Sequence, residues 1–206
     1  MKVILVNGSP HKHGCTYTAL KEVADTLEKN GVETEIIYLG TQPISGCTAC
    51  GICRKNGKCF IDDEVNIFLD KAENADGFVF GTPVHFASAS GAITSFMDRA
   101  FYARGNRMIN KPAAAVVSCR RGGATASFDQ LNKYFSISNM PIVSSQYWNM
   151  VHGNTPEEVK QDEEGLQTMR TLAKNMAWLI KCIEAGHKAG VPLPAKEEKI
   201  YTNFIR

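Results

Sequence analysis

Short apolar runs of strand length alternate along this chain with segments of helical period, and that alternation constrains the fold more than any other feature. Residues 2–6 are almost wholly apolar, as a strand buried on both faces must be. Residues 16–30 then place Leu20, Val23, Ala24 and Leu27 on one helical face, and Asn30-Gly31 supplies the helix end. Further strands are expected at 33–39, 77–81, 112–118 and 142–148, and helices at 62–74, 90–102 and 125–136. Asp62 and Asp63 are cap candidates for the first of these helices, and 40–61 has no period and reads as a loop. Thr155-Pro156-Glu157-Glu158 signals a helix start; that helix is expected to run, with a break near Gly165, to Ala185 and to close at Gly186. Strands separated by helices imply right-handed βαβ units and one parallel sheet. Five strands suit a three-layer, doubly wound α/β fold: one domain over 1–186, with a Cys-rich insertion at 43–62 and a C-terminal arm at 187–206.

A chain of 206 residues, 44% hydrophobic and 21% charged, can bury a core without disulfides. Its formal net charge of +2 leaves no basic surplus for nucleic acid. No apolar run approaches the roughly 20 residues of a membrane span. The N-terminus reads as a first strand rather than a signal peptide. A cytoplasmic protein with neither nucleic-acid nor membrane partners is expected.

The seven cysteines are Cys15, Cys47, Cys50, Cys53, Cys59, Cys119 and Cys182, and four of them fall within thirteen residues. A disulfide framework would spread its cysteines and suits smaller, secreted chains. The run Cys47-x2-Cys50-x2-Cys53-x5-Cys59 lets one loop wrap several thiolates around a compact core, and its opening is that of the bacterial ferredoxin pattern. Zinc sites usually split their ligands into two distant pairs. A [4Fe–4S] cluster, a zinc ion and metal-free thiols all remain open on spacing alone. Cys15, Cys119 and Cys182 read as plain buried residues, although the first two fall in presumed ligand loops.

Those loops follow the first, third and fourth strands, where ligands of doubly wound sheets sit. Residues 7–16 are rich in Gly and hydroxyls and lead into a helix N-terminus, a setting that suits a phosphate through the hydroxyls of Ser9, Thr16 and Thr18. Neither the dinucleotide fingerprint nor a Walker A loop is present, so a phosphomonoester fits better than a triphosphate. An ordinary ligand-free turn would look the same. The segment 82–88 adds Pro83, Val84, His85 and Phe86, and 118–124 adds Arg120, Arg121, Gly122 and Gly123. A flat aromatic ligand with a phosphate tail would suit this combination.

The segments GSPHKHGCT, the four-cysteine loop with Asp62-Asp63, GTPVHFASASG and the RRGG turn resemble the iron-sulfur flavoproteins, within the flavodoxin-like NAD(P)H-dependent FMN reductases. The resemblance spans about residues 1–185. It implies a flavodoxin-like sheet of order 2-1-3-4-5, and FMN held by Ser9, His11, Cys15, Thr16, Pro83, Val84, His85, Phe86, Arg120, Gly122 and Gly123. It further implies a [4Fe–4S] cluster on Cys47, Cys50, Cys53 and Cys59, and a homodimer or homotetramer in which one subunit's cluster faces a neighbour's flavin. His11 and Cys15 stand where the family commonly has Arg and Asn, and His85 where it has Tyr. The activity implied is redox, with an electron donor and acceptor such as NAD(P)H, ferredoxin or a quinone. A cluster-free FMN or quinone reductase and a flavin-free zinc module are the alternatives.

Overall fold

A computed structural model describes residues 1–195, 197–198, 200–202 and 204, with backbone only at residue 104. In chain order the elements are β1 (Lys2–Asn7), α1 (Cys15–Lys29), β2 (Glu33–Tyr38), α2 (Ile52–Asn56), α3 (Glu64–Ala72), β3 (Gly77–His85), β4 (Ser88–Ala89), α4 (Gly91–Arg104), β5 (Ala113–Cys119), α5 (Ala124–Ile137), β6 (Met150–His152), α6 (Pro156–Val159) and α7 (Glu163–Lys188). Five strands pair in parallel in the order β2-β1-β3-β5-β6, and β4 folds back antiparallel on β3. Counting the parallel strands alone, this is the expected flavodoxin-like 2-1-3-4-5 sheet.

The period of two in β1 builds both outer layers at once. Ile4 and Val6, with Phe78 and Phe80 beside them on β3, face Phe68, Phe96 and Phe135 in the layer of α3, α4 and α5. Val3 and Leu5 face Leu20, Leu27, Leu172 and Met176, in the layer of α1 and α7. The aromatic side packs edge to face, with the Phe68 and Phe96 centroids 5.1 Å apart.

Four expectations need correction. The third strand runs past Gly81 to His85, because Val84 and His85 pair with Ala89 and Ser88 across a two-residue turn. The turn holds Phe86 at φ 57, a conformation that favours glycine. The segment read as a structureless loop contains the short helix α2. The last strand is not 142–148 but Met150–His152; Ile142 keeps only a bridge to Ala113. Between them the Ser145 hydroxyl bonds the Tyr147 carbonyl and Asn149 Oδ1 (2.8 Å), so local side-chain bonds replace ladder bonds. The final helix breaks before Gly165, since Asp162 Oδ1 accepts the Gly165 N–H (2.9 Å) and caps α7. That helix also continues through Gly186. It ends where Gly190, at φ 80, donates to His187 O (3.1 Å) and Val191 donates to Gly186 O (2.9 Å).

Beyond α7, Val191, Leu193, Ile200, Tyr201 and Phe204 are exposed, and Ile205 lies outside the described residues. Among the described residues no helix is long and apolar enough to cross a membrane.

Candidate functional site: a groove at the strand switch and a four-cysteine cradle

The loop after β1 is fixed from every side. Gly8 donates its N–H to Gly81 O (2.9 Å) and accepts from Ser90 Oγ (2.8 Å), while the Ser90 N–H donates to Thr82 Oγ1 (3.0 Å). A Cβ at Gly8 would lie 2.7 Å from Ile93 Cβ, so only glycine brings β1 this close to α4. Asn7 Oδ1 accepts the Ser9 N–H (3.1 Å), Ser9 Oγ accepts the His11 N–H (3.1 Å), and Tyr38 donates to Pro10 O (2.7 Å). The α1 N-terminus has no side-chain cap and no acid in its first turn, so its backbone donors suit an anion.

The three expected loops come together. Thr16 is buried and shares a 2.8 Å hydrogen bond with Ser118 at the end of β5. Ser9 is buried too, with its hydroxyl oxygen already accepting from His11. Cys15 Sγ points at Gly153 O (3.7 Å) and Cys119 Sγ at Arg121 O (3.6 Å). Burial pushes both thiols above their ordinary pKa, so Cys15 sits neutral beside the helix end and adds no charge to oppose an anion. Gly123, at φ 87, packs on the hairpin; a Cβ there would lie 2.7 Å from Val84 Cγ1. Pro83 and Val84 are half-buried, whereas His11, His85, Phe86, Arg120, Arg121 and Gly122 are exposed.

A groove of about 430 Å³ opens between Gly8, Pro10, residues 40–44, His85, Ser90 and Ser95. It lies where the strand order reverses, and its volume falls within the usual small-molecule range. Asn7 and Thr82 lie in the expected loops without having been singled out, and sequence reasoning did not find Tyr38 or Ser90. Ser90 stands at the start of the expected helix 90–102, but its bond to Gly8 is tertiary.

Residues 40–44 lead directly from the groove to the cysteines. Cys47, Cys50, Cys53 and Cys59 all line one cavity, together with Phe60, Arg99 and Tyr102. Gly51 (φ 72) and Gly57 (φ 65) bound α2 and let the chain reverse around that cavity. Asn66 clasps the Cys59 backbone in both directions, accepting its N–H and donating to its carbonyl at 2.9 Å each. Arg99, 2% exposed, donates from Nε to Cys59 Sγ (3.3 Å) and pairs with Asp63 at 2.6 and 2.8 Å. Cys53 Sγ meets Tyr102 O at 3.8 Å. Lys58 pairs with Asp70 (2.9 Å), and the charged side chain that lines the cavity is Arg99. No three His, Cys, Asp or Glu side chains among the described residues converge as ligands of a single ion. Of the three cysteines expected to be buried, Cys119 is, Cys15 is half-buried, and Cys182 is exposed on α7, far along the chain from this loop.

A doubly wound parallel sheet with an anion-ready helix end and a groove at its switch point defines a flavodoxin-like, phosphate-ligand-binding protein. The chain belongs to the NADPH-dependent FMN reductase family, whose sequence model matches residues 1–155. It is 35% identical over 192 residues to an iron-sulfur flavoprotein of Methanocaldococcus jannaschii, covering 89% of this chain and 100% of that one. An iron-sulfur flavoprotein of Archaeoglobus fulgidus is 34% identical over 190 residues, covering 85% of this chain and 94% of the relative. A flavodoxin from the domain Archaea shares the fold, with a TM-score of 0.60 at 15% identity over 88% of this chain and 99% of that one. The chain is thus a flavoprotein of the oxidoreductase or electron-transfer kind, in the iron-sulfur flavoprotein branch of its family, and FMN is its cofactor.

Proposed function

We propose that this protein moves electrons between FMN, bound where the loops after β1, β3 and β5 meet beside the groove, and a [4Fe–4S] cluster on Cys47, Cys50, Cys53 and Cys59. The observation that carries the reading is the single cavity lined by all four thiols, with one buried cation on Cys59. The donor set fits: four soft thiol ligands, glycine turns around them and an arginine N–H donor on the Cys59 sulfur. When bound, FMN supplies two- or one-electron chemistry and the cluster one-electron chemistry, so their combination can divide a two-electron donor into single steps. In this assignment the α1 N-terminus and the Ser9 and Thr16 hydroxyls face the FMN phosphate. Pro83, Val84, His85 and Phe86 flank the ring, together with the Arg120–Gly123 turn. His11 and Cys15 replace the family's charged and amide side chains. NAD(P)H is the donor class that the family description supports, with a ferredoxin or quinone as acceptor.

Anaerobic purification with a visible spectrum and metal analysis tests the reading. About four irons per chain are expected beside one FMN, the iron number following from the cluster formula. Cys50→Ala, which removes one ligand, should hold far less iron at equal flavin. Zinc in place of iron would establish a structural metal, and absence of both metals would establish a cluster-free reductase.

We also propose that 187–206 is an arm that packs on a second copy of the chain, forming a homodimer or homotetramer in a reducing cytoplasm. The exposed Val191, Leu193, Ile200, Tyr201 and Phe204 support this. Light scattering on the full chain and on a version ending at Ala189 should show an oligomer that dissociates on truncation; a monomer in both cases refutes it.

A further inference from the structure

The arginine at the cysteine cradle is a poor choice for packing alone. Arg99 is the largest fully buried side chain among the described residues, on a helix whose other inward residues are Ile93, Phe96, Met97 and Ala100. Burying a guanidinium costs several kcal/mol before its partners repay it, and an apolar residue of that size would fill the space at lower cost. Yet every donor is used. Nε serves Cys59 Sγ (3.3 Å), one terminal nitrogen serves Asp63 Oδ2 (2.6 Å) and Ser45 O (3.4 Å), and the other serves Asp63 Oδ1 (2.8 Å) and Ile61 O (2.9 Å). These are the five N–H groups that a guanidinium possesses. Ser45 and Ile61 stand at the two ends of the cysteine loop, so one side chain closes the loop and touches a ligand sulfur inside it.

We propose that Arg99 is a positioning residue for the metal-bound form: it clamps the two ends of the cysteine loop and, through its Nε–H bond to Cys59, raises the reduction potential of the cluster. This rests on the cluster reading above. The bidentate Asp63 cancels most of the guanidinium charge, which leaves Nε as a directed donor rather than a bare cation. Reduction adds negative charge to the cluster and its thiolates, so a donor on a ligand sulfur favours the reduced form. Lysine cannot replace this function. Its ammonium can still pair with Asp63, but it has no planar fork to reach Cys59, Ser45 and Ile61 together. Asp63→Asn has the opposite effect on the balance: it keeps the guanidinium and removes the opposing charge. Asparagine caps a helix as well as aspartate does, so α3, which Asp63 caps through the Val65 N–H, is retained.

The test is a redox titration of anaerobically prepared protein followed by electron paramagnetic resonance, with iron counted in each sample. Arg99→Lys should lower the ratio of reduced to oxidised cluster at fixed potential about tenfold, a fall of about 59 mV for a one-electron couple. Asp63→Asn should shift it upward. In iron-free protein, amide exchange over 46–60 should be faster in Arg99→Lys than in wild type, because the clamp acts without metal. Wild-type potentials in both variants, whatever iron they retain, would overturn the inference while leaving the cluster reading intact. Absence of iron from anaerobic wild type would remove the cluster reading and this inference with it.

Discussion

Ser90→Ala separates the support of the groove from its contact surface. The Ser90 hydroxyl is 1% exposed, donates to Gly8 O at 2.8 Å and accepts the Ile93 N–H at 3.4 Å as the N-cap of α4. The cap bond is long, so its loss should cost near the low end of the usual range, about 0.5–1 kcal/mol. Loss of the shorter bond leaves the Gly8 carbonyl without a buried donor, at about 1–3 kcal/mol. Together the variant should unfold about 1–3 kcal/mol more easily, below the simple sum because the two bonds share one oxygen and their costs overlap. Urea unfolding of the FMN-free protein reads this directly, with an unchanged slope expected because the same surface is exposed.

Binding should fall as well. Gly8 directly precedes Ser9 and Pro10, and its carbonyl is held by Ser90 before any ligand arrives. If about 1 kcal/mol of ordering must then be supplied on binding, FMN affinity drops roughly fivefold, since 1.4 kcal/mol is tenfold. Ser90→Thr keeps the oxygen and should keep most of both quantities. An unfolding loss below about 0.5 kcal/mol, the level of an ordinary surface change, together with unaltered FMN affinity would refute the claim that Ser90 holds the loop.

Gly123→Ala places a Cβ 2.7 Å from Val84 Cγ1 at φ 87, and should cost about 1–3 kcal/mol in urea unfolding. Val84→Ala made beside it should restore only the steric part. Glu35 lies between Lys2 (2.8 Å) and Lys71, and these ammonium groups hold its carboxyl below the usual range. Because the folded pKa is the lower one, the stabilisation is complete above the unfolded pKa and disappears as pH falls through the folded value. Glu35→Gln should therefore flatten the acid side of the stability–pH curve, by less than about 1 kcal/mol for a pair this exposed.

The elements legible from sequence were those that burial dictates on both sides. β1 and β5 lie between two helical layers, so nearly every residue is apolar and the run declares itself. β6 borders the sheet, pairs over three residues and follows Ser145, whose hydroxyl competes for the backbone at Tyr147. No periodicity marks such a strand. The four cysteines were legible because they are local: spacing within one loop is written in the sequence. Arg99 was not, because its partner Cys59 lies 40 positions away and a charged residue beside the stripe of Phe96 and Ala100 reads as a solvated flank. The hydroxyls of Ser9 and Thr16 were visible as polar groups in a loop; the Ser9 bond to the His11 amide is local, but the Thr16 bond to Ser118 depends on how α1 and β5 meet.

The helix α4 explains why groove and cradle belong to one unit. Its cap, Ser90, grips the loop after β1, and Arg99 grips the cysteine loop. Nine residues separate them, which at 1.5 Å per residue is about 14 Å along the axis. Between these ends Ile93, Phe96 and Met97 are fully buried against the sheet, so the helix cannot slide without opening the aromatic core. Two loops that would otherwise drift separately are thereby held at one spacing by a rigid rod. A change at either end that shifts the helix must move the other site, whereas a change in loop 40–44 need not. Pairing Ser90→Ala with Arg99→Lys therefore asks whether the sites are joined through the rod. Penalties in unfolding free energy that combine non-additively would place the coupling in α4, and strict additivity would place it elsewhere.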